Sequence, residues 1–101
     1  YLAFTVMLAA GLAGIEGKYE IPEPTEENIY KMTPSDMASN HINAIPDSLE
    51  NAINAMEDSK IAREALGDHI FEQLITNKKV EWARYREKVT DYEIEKYFPF
   101  L

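Results

Sequence analysis

A chain of 101 residues supports one domain at most, with one modest core, because a domain of this size buries only about two-thirds of the surface its unfolded chain exposes. Its formal charge of −8, from 18 acidic and 10 basic side chains, argues against nucleic acid and against an electrostatic grip on anionic lipid, since both need a basic surface. The absence of cysteine removes disulfide scaffolds, thiolate zinc sites and thiol catalysis and permits a reducing compartment, while 46% hydrophobic content is that of a folded chain.

The first element is the most unusual. Tyr1 to Ile15 carries no charged side chain and is broken only by Thr5, Gly11 and Gly14. A helix on a small autonomous domain keeps one polar face for water, and this one has none. Residues 1–17 are therefore expected to form a buried apolar helix inside something larger than the rest of the chain could build. The start at Tyr1 instead of Met points the same way, to a piece of a bigger protein. Spanning a bilayer takes about 20 apolar residues, and Glu16 and Lys18 end the run too early. A secretory signal would want a basic region ahead of the apolar stretch, which would have to lie upstream of Tyr1, so a buried core helix is preferred to a signal or membrane segment. No membrane partner is expected.

Residues 18–32 read as a connector loop, because Pro22 and Pro24 hold their predecessors out of the helical region. A helical bundle is expected over 33–89. Thr33-Pro34-Ser35-Asp36 is a helix start, with Thr33 as N-cap, Pro34 in the first turn and Asp36 near the positive end of the dipole. A second start follows at Asp47-Ser48-Leu49-Glu50, where Asp47 and Glu50 have the spacing of a reciprocal cap. Leu49, Ala52, Ile53 and Met56 then form one apolar stripe that ends near Asp58. Ser59 caps the next short helix, with Ile61, Ala62, Ala65 and Leu66 inward, and Gly67 stops it. Asp68 opens the longest helix, whose inward stripe is Ile70, Phe71, Leu74, Ile75, Trp82 and Tyr85, interrupted by Lys78. The Lys78 stem can lie on the apolar face while its ammonium stays wet. Thr90 and Glu93 form a capping box for a tail helix within 90–101, and Pro99 limits it. No segment alternates as a strand does, so the fold class is all-α with no sheet.

The chain offers little chemistry of its own. His69 and Glu72 have an i, i+3 spacing used in carboxylate-bridged metal sites, but such sites also need glutamates from neighbouring helices, and an exposed histidine beside Asp68 is the simpler reading. No glycine-rich loop follows a strand, so no phosphate cradle is expected. No catalytic, cofactor-binding or metal residue is assigned. The aromatic terminus is more informative: Tyr92, Tyr97, Phe98, Phe100 and Leu101 crowd a region that is ordinarily polar and frayed. Either this tail docks on its own core or it anchors another subunit, aromatics being enriched in the buried centres of interfaces.

Taken in order, these segments resemble the C-terminal region of a type I glutamine synthetase. Tyr1-Leu-Ala-Phe with Leu8-Ala-Ala-Gly-Leu-Ala-Gly-Ile15 is similar to the family's Asn-Pro-Tyr-Leu helix and its Ala-Gly-Leu-x-Gly-Ile end. Glu27-Asn-Ile-Tyr30 resembles its Asn-(Leu/Ile)-Tyr element, and Ile45-Pro-x-Ser-Leu-x-x-Ala52 its Leu-Pro-x-Ser-Leu-x-x-Ala helix start. Ala65-Leu-Gly-Asp-His-Ile-Phe71, Glu81-Trp82, Tyr85-Arg86, Val89-Thr90 and Glu93-x-x-x-Tyr97 complete a match along essentially the whole chain.

The resemblance implies a cytoplasmic parent enzyme that joins ammonia to glutamate with ATP, through γ-glutamyl phosphate, with magnesium or manganese on the phosphates. It places the metal, nucleotide and phosphoryl-transfer residues upstream of Tyr1, so this segment is expected to be inactive. In one subgroup the tyrosine matched by Tyr30 is adenylylated. Here Lys31 to Asp36 follow it where that subgroup has Asp-Leu-Pro-Pro-Glu-Glu, and the pattern is closer to the product-inhibited subgroup. The family assembles as a homo-oligomer, a dodecamer of two stacked hexameric rings, and Tyr92 to Leu101 match the segment that inserts into the opposite ring. The isolated chain is expected to self-associate. A stand-alone acidic helical interaction module is the competing reading.

Overall fold

The computed structural model describes all 101 residues as six α-helices, two 3₁₀ turns and no strand. The helices are α1 (Leu2–Glu16), α2 (Pro34–Ser39), α3 (Leu49–Glu57), α4 (Lys60–Leu66), α5 (Asp68–Arg86) and α6 (Asp91–Tyr97). The 3₁₀ turns cover Ile29–Lys31 and Phe98–Phe100. The fold class is all-α.

Local chemistry sets most of the boundaries. Thr33 Oγ1 accepts from the Asp36 amide at 3.2 Å and Asp36 Oδ2 from the Thr33 amide at 3.0 Å, closing a reciprocal cap over the start of α2. Ser59 Oγ accepts from the Ala62 amide at 3.2 Å and starts α4. Thr90 and Glu93 make the second reciprocal cap, ahead of α6. At α3 the expected pairing of Asp47 with Glu50 is replaced. Ser48 is the N-cap and accepts from the Asn51 amide at 3.1 Å, while Asp47 Oδ1 accepts from Asn51 Nδ2 at 2.8 Å. With Ser48 as the cap, the third helical position falls on Asn51, and Glu50, one residue too early, is not placed to reach back to the cap amide. Gly67 sits at φ 75°, ψ 153°, which only glycine holds without strain, and turns α4 sharply into α5.

The core is small. Ile53, Ala62, Leu66, Phe71 and Ile75 are its only buried residues, with Val6, Leu49, Met56, Leu74 and Trp82 packed partly against them. α1 lies on α4, and α3 and α4 both pack on α5. α2 stands outside this group. Three residues assigned inward from periodicity are exposed: Ala52, Ile70 and Tyr85. The reason for Tyr85 is length. α5, with 19 residues, runs about 28 Å while the nine residues of α3 cover about 13 Å, so the last turns of α5 outrun their partner.

Within this chain alone α1 is not buried, and the expectation for residues 1–17 placed its cover outside the chain. None of its residues is buried. Val6, Ala9, Ala13 and Gly14 form a half-buried stripe at helical spacing, and the remaining faces have no element opposite them. Phe4, Met7, Leu8 and Ile15 are each at least 66% exposed. The shape carries the same message. The Cα radius of gyration is 18.8 Å, against about 13 Å for a compact chain of this length. The accessible surface is 9221 Å², against about 5,800 Å² for a globule of this mass. The excess exceeds what one ordinary interface covers, roughly 800 Å² per partner.

Candidate functional site

Two bare apolar surfaces stand out, α1 and the C-terminal tail. The tail begins at the Thr90 cap and runs through α6 into the Phe98–Phe100 turn, whose fold is fixed by Pro99 and by the Leu101 amide donating to the Phe98 carbonyl at 3.2 Å. α6 and this turn pack on each other. Val89, Ile94, Tyr97, Phe98 and Leu101 enclose a shallow apolar hollow of about 380 Å³. Lys96 Nζ donates to Tyr92 Oη at 2.8 Å and lies 5.2 Å from the Tyr92 ring centre on the outer face of α6. Every residue from 83 to 101 is exposed, so the tail does not fold back onto the chain's own core. Tyr92 at 62%, Tyr97 at 55% and Phe98 at 71% exposure leave their rings largely in water.

Tyr30 occupies the Ile29–Lys31 turn, where Asn28 Oδ1 accepts its amide at 3.0 Å. Its side chain is fully exposed. Beside it, Pro22 to Glu27, Met32 and Ser39 to His41 rim an open hollow of about 590 Å³. Its charged side chains are Glu23, Glu26 and Glu27, so it repels phosphate instead of cradling it.

Of the His69 and Glu72 pair, Glu72 is committed elsewhere and His69 is exposed. Arg63 Nη2 holds Glu72 Oε1 at 2.7 Å, and Arg63 Nη1 holds Asp68 Oδ1 at 3.0 Å, while the guanidinium lies 4.2 Å over the ring of Phe71, the most buried side chain. The hydrogen bond to Asp68, then that to Glu72, raises the Arg63 pKa still further above its ordinary value. Sequence reasoning did not single out Arg63, because its partners lie five and nine residues on, across the Gly67 corner, and become neighbours only once that corner is known. Lys79 and Glu57, 2.6 Å apart, are a similar cross-helix pair between α5 and α3. No group of three or more His, Asp or Glu converges as a metal site would require. These residues therefore do not make up a divalent-metal site by themselves. No helix is long and apolar enough to cross a membrane.

An all-helical, acid-faced chain whose most apolar helix and aromatic tail both lie bare is one component of a larger packed domain. The chain belongs to the glutamine synthetase family: residues 1–97 match the family described as glutamine synthetase, catalytic domain. It is 43% identical over 97 residues to a glutamine synthetase of Mycobacterium tuberculosis, 46% to one of Methanococcus voltae and 42% to one of Staphylococcus epidermidis. Each alignment covers 96% of this chain, and the chain spans 22% of the length of each relative.

Proposed function

We propose that this chain is the non-catalytic C-terminal helical segment of a cytoplasmic glutamine synthetase, which makes glutamine from glutamate, ammonia and ATP through γ-glutamyl phosphate. ATP and magnesium or manganese belong to the upstream part of that parent and supply phosphoryl transfer there. The work of this segment is packing. α1 fills the interior of the parent domain, α3 to α5 brace it from one side through the Phe71 core, and the tail from Tyr92 to Leu101 joins subunits of the two hexameric rings. Tyr30 is the regulatory candidate, its phenol open to solvent.

One observation carries this reading: a helix with no charged residue before Glu16 has no buried residue in the chain that contains it. Exposed apolar patches beyond a few hundred Å² are rare on soluble monomers, so these faces require cover from the parent, or from other copies when the chain stands alone. Two assays test the division of labour. The isolated chain with glutamate, ammonia, ATP and magnesium should release phosphate at the blank rate, and turnover above it that is lost on denaturation would overturn the non-catalytic role. Deleting Tyr97 to Leu101 from the parent should give hexamers or smaller species in sedimentation with helical circular dichroism near the intact level. A truncated parent that stays dodecameric would remove the tail from the ring contact.

A further inference from the structure

We propose that the hollow between the start of α1 and the face of α5 carrying His69, Gln73 and Asn77 receives the parent segment that runs into Tyr1, and that these three side chains hold its main chain by hydrogen bonds. The inference rests on the reading of this chain as part of a larger enzyme, and it adds which surface of α5 takes the incoming chain. The hollow is about 220 Å³ and is lined by Leu2, Ile70 and Leu74 together with the three polar residues.

The charge pattern of α5 marks this face as one made to be covered. At 3.6 residues per turn, Phe71 and Ile75 point to the core, and Asp68, Glu72 and Lys79 share one exposed flank. The next flank holds His69, Ile70, Gln73, Asn77 and Val80, and it carries no acidic, lysine or arginine side chain over about three turns. Charged residues are depleted where a surface is buried by a partner. Ile70 and Val80 are 44% and 45% exposed, so no element of this chain lies fully over them. The charged side chains of α5 have partners: Glu72 pairs with Arg63, Lys79 with Glu57 and Lys78 with Glu81. His69, Gln73 and Asn77 make no side-chain hydrogen bond within the chain, although the residues beside them do.

Position and spacing select the occupant. Leu2 lines the hollow, so a chain that enters α1 through Tyr1 starts at its rim. The parent supplies that chain, since this segment spans 22% of the length of its relatives. From His69 to Asn77 the face is about 12 Å long, and four extended residues cover about 13 Å, so the last few residues before Tyr1 suffice to run along it. The three polar side chains recur every four residues, about 6 Å along the helix, close to the roughly 6.6 Å two-residue repeat of an extended strand. A carboxamide offers two donors and an acceptor and a neutral imidazole one of each, which suits main-chain N–H and C=O groups without bringing in charge. Leu2, Ile70 and Leu74 form an apolar bed for the segment's side chains.

The test uses the parent enzyme with Gln73→Glu, which puts a charge on the covered face, and with Asn77→Ala, a milder change that serves where Gln73→Glu prevents folding. Amide hydrogen exchange in the peptide that ends at Tyr1 should rise about fivefold to tenfold in each variant, in line with one lost hydrogen bond. Exchange across Phe71 to Ile75 should stay at the level of the unaltered parent. In the isolated chain, where the face is bare, the same substitutions should leave helical circular dichroism unchanged. Unchanged exchange in the peptide before Tyr1, or a rise confined to another part of the parent or to a neighbouring subunit, would give this face a different occupant and overturn the inference. Glutamine formation by the unaltered parent upholds the enzyme reading whichever way the exchange falls, so the two fail separately.

Discussion

Replacing Met7 by lysine distinguishes a helix made for a protein interior from one made for water. In the isolated chain Met7 is 70% exposed, so the new ammonium meets solvent and the change in stability should stay within about ±0.5 kcal/mol, as for ordinary surface substitutions. It should also reduce self-association, because it breaks the apolar patch between Phe4 and Leu8. In the parent the outcome reverses. Fully burying a side chain of this type contributes about 1.5–3 kcal/mol, and since 70% of that surface is still bare here, the parent gains about 1–2 kcal/mol at this position. Lysine forfeits that contribution and adds an unpaired cation to a dry interior, for a total loss above about 3 kcal/mol. Urea unfolding of both proteins, with light scattering on the isolated chain, measures the contrast. A parent carrying Met7→Lys that unfolds at the same urea concentration as the unaltered enzyme would refute the argument that α1 is interior.

Phe71→Ala removes the one side chain that is 1% exposed, at a cost of about 3–5 kcal/mol, which a core of five buried residues cannot absorb; the isolated chain should lose most of its helical circular dichroism at 25 °C. The cap on α2 should depend on acid. The side-chain and then the backbone hydrogen bonds from Thr33 hold the Asp36 carboxyl below the usual carboxylate range, so its contribution is complete above the unfolded value of about 3.9 and is lost as pH falls through the lower folded value. Amide chemical shifts of Thr33, Ser35 and Asp36 followed below about pH 4 should report the opening, and Asp36→Asn should abolish the pH dependence.

Start and stop chemistry was legible wherever it is local. Thr33, Ser59, Gly67 and Thr90 each act within four residues of themselves, and each sits where its side chain or its conformational freedom implies. The Asp47 assignment failed because two adjacent residues can both accept, and only the backbone of Ser48, at φ −140° and ψ 159°, decides which becomes the cap. Helical periodicity placed Phe71, Ile75, Ala62 and Leu66 correctly on the inner faces. It overreached at Ala52, Ile70 and Tyr85, since a stripe records which face is apolar and not how far the opposing helix extends. Arg63, with partners on the far side of a glycine corner, was out of reach of any local pattern. α1 is the instructive case. Its lack of a polar face indicated an interior destination, and the chain by itself supplies a neighbour for only one side of it.

Amide hydrogen exchange across Leu2 to Glu16 and Asp91 to Phe100, compared between the isolated chain and the intact parent enzyme, tests most directly the claim that these two surfaces are built to be covered. Opening free energies in a protein range from near zero at frayed segments to the global stability in the core. The account predicts exchange in both segments at least about a hundredfold slower in the parent, corresponding to roughly 2.7 kcal/mol or more of added protection. Equal exchange rates in the two proteins would contradict it, because α1 and the tail would then be as open in the assembled enzyme as they are in this chain alone.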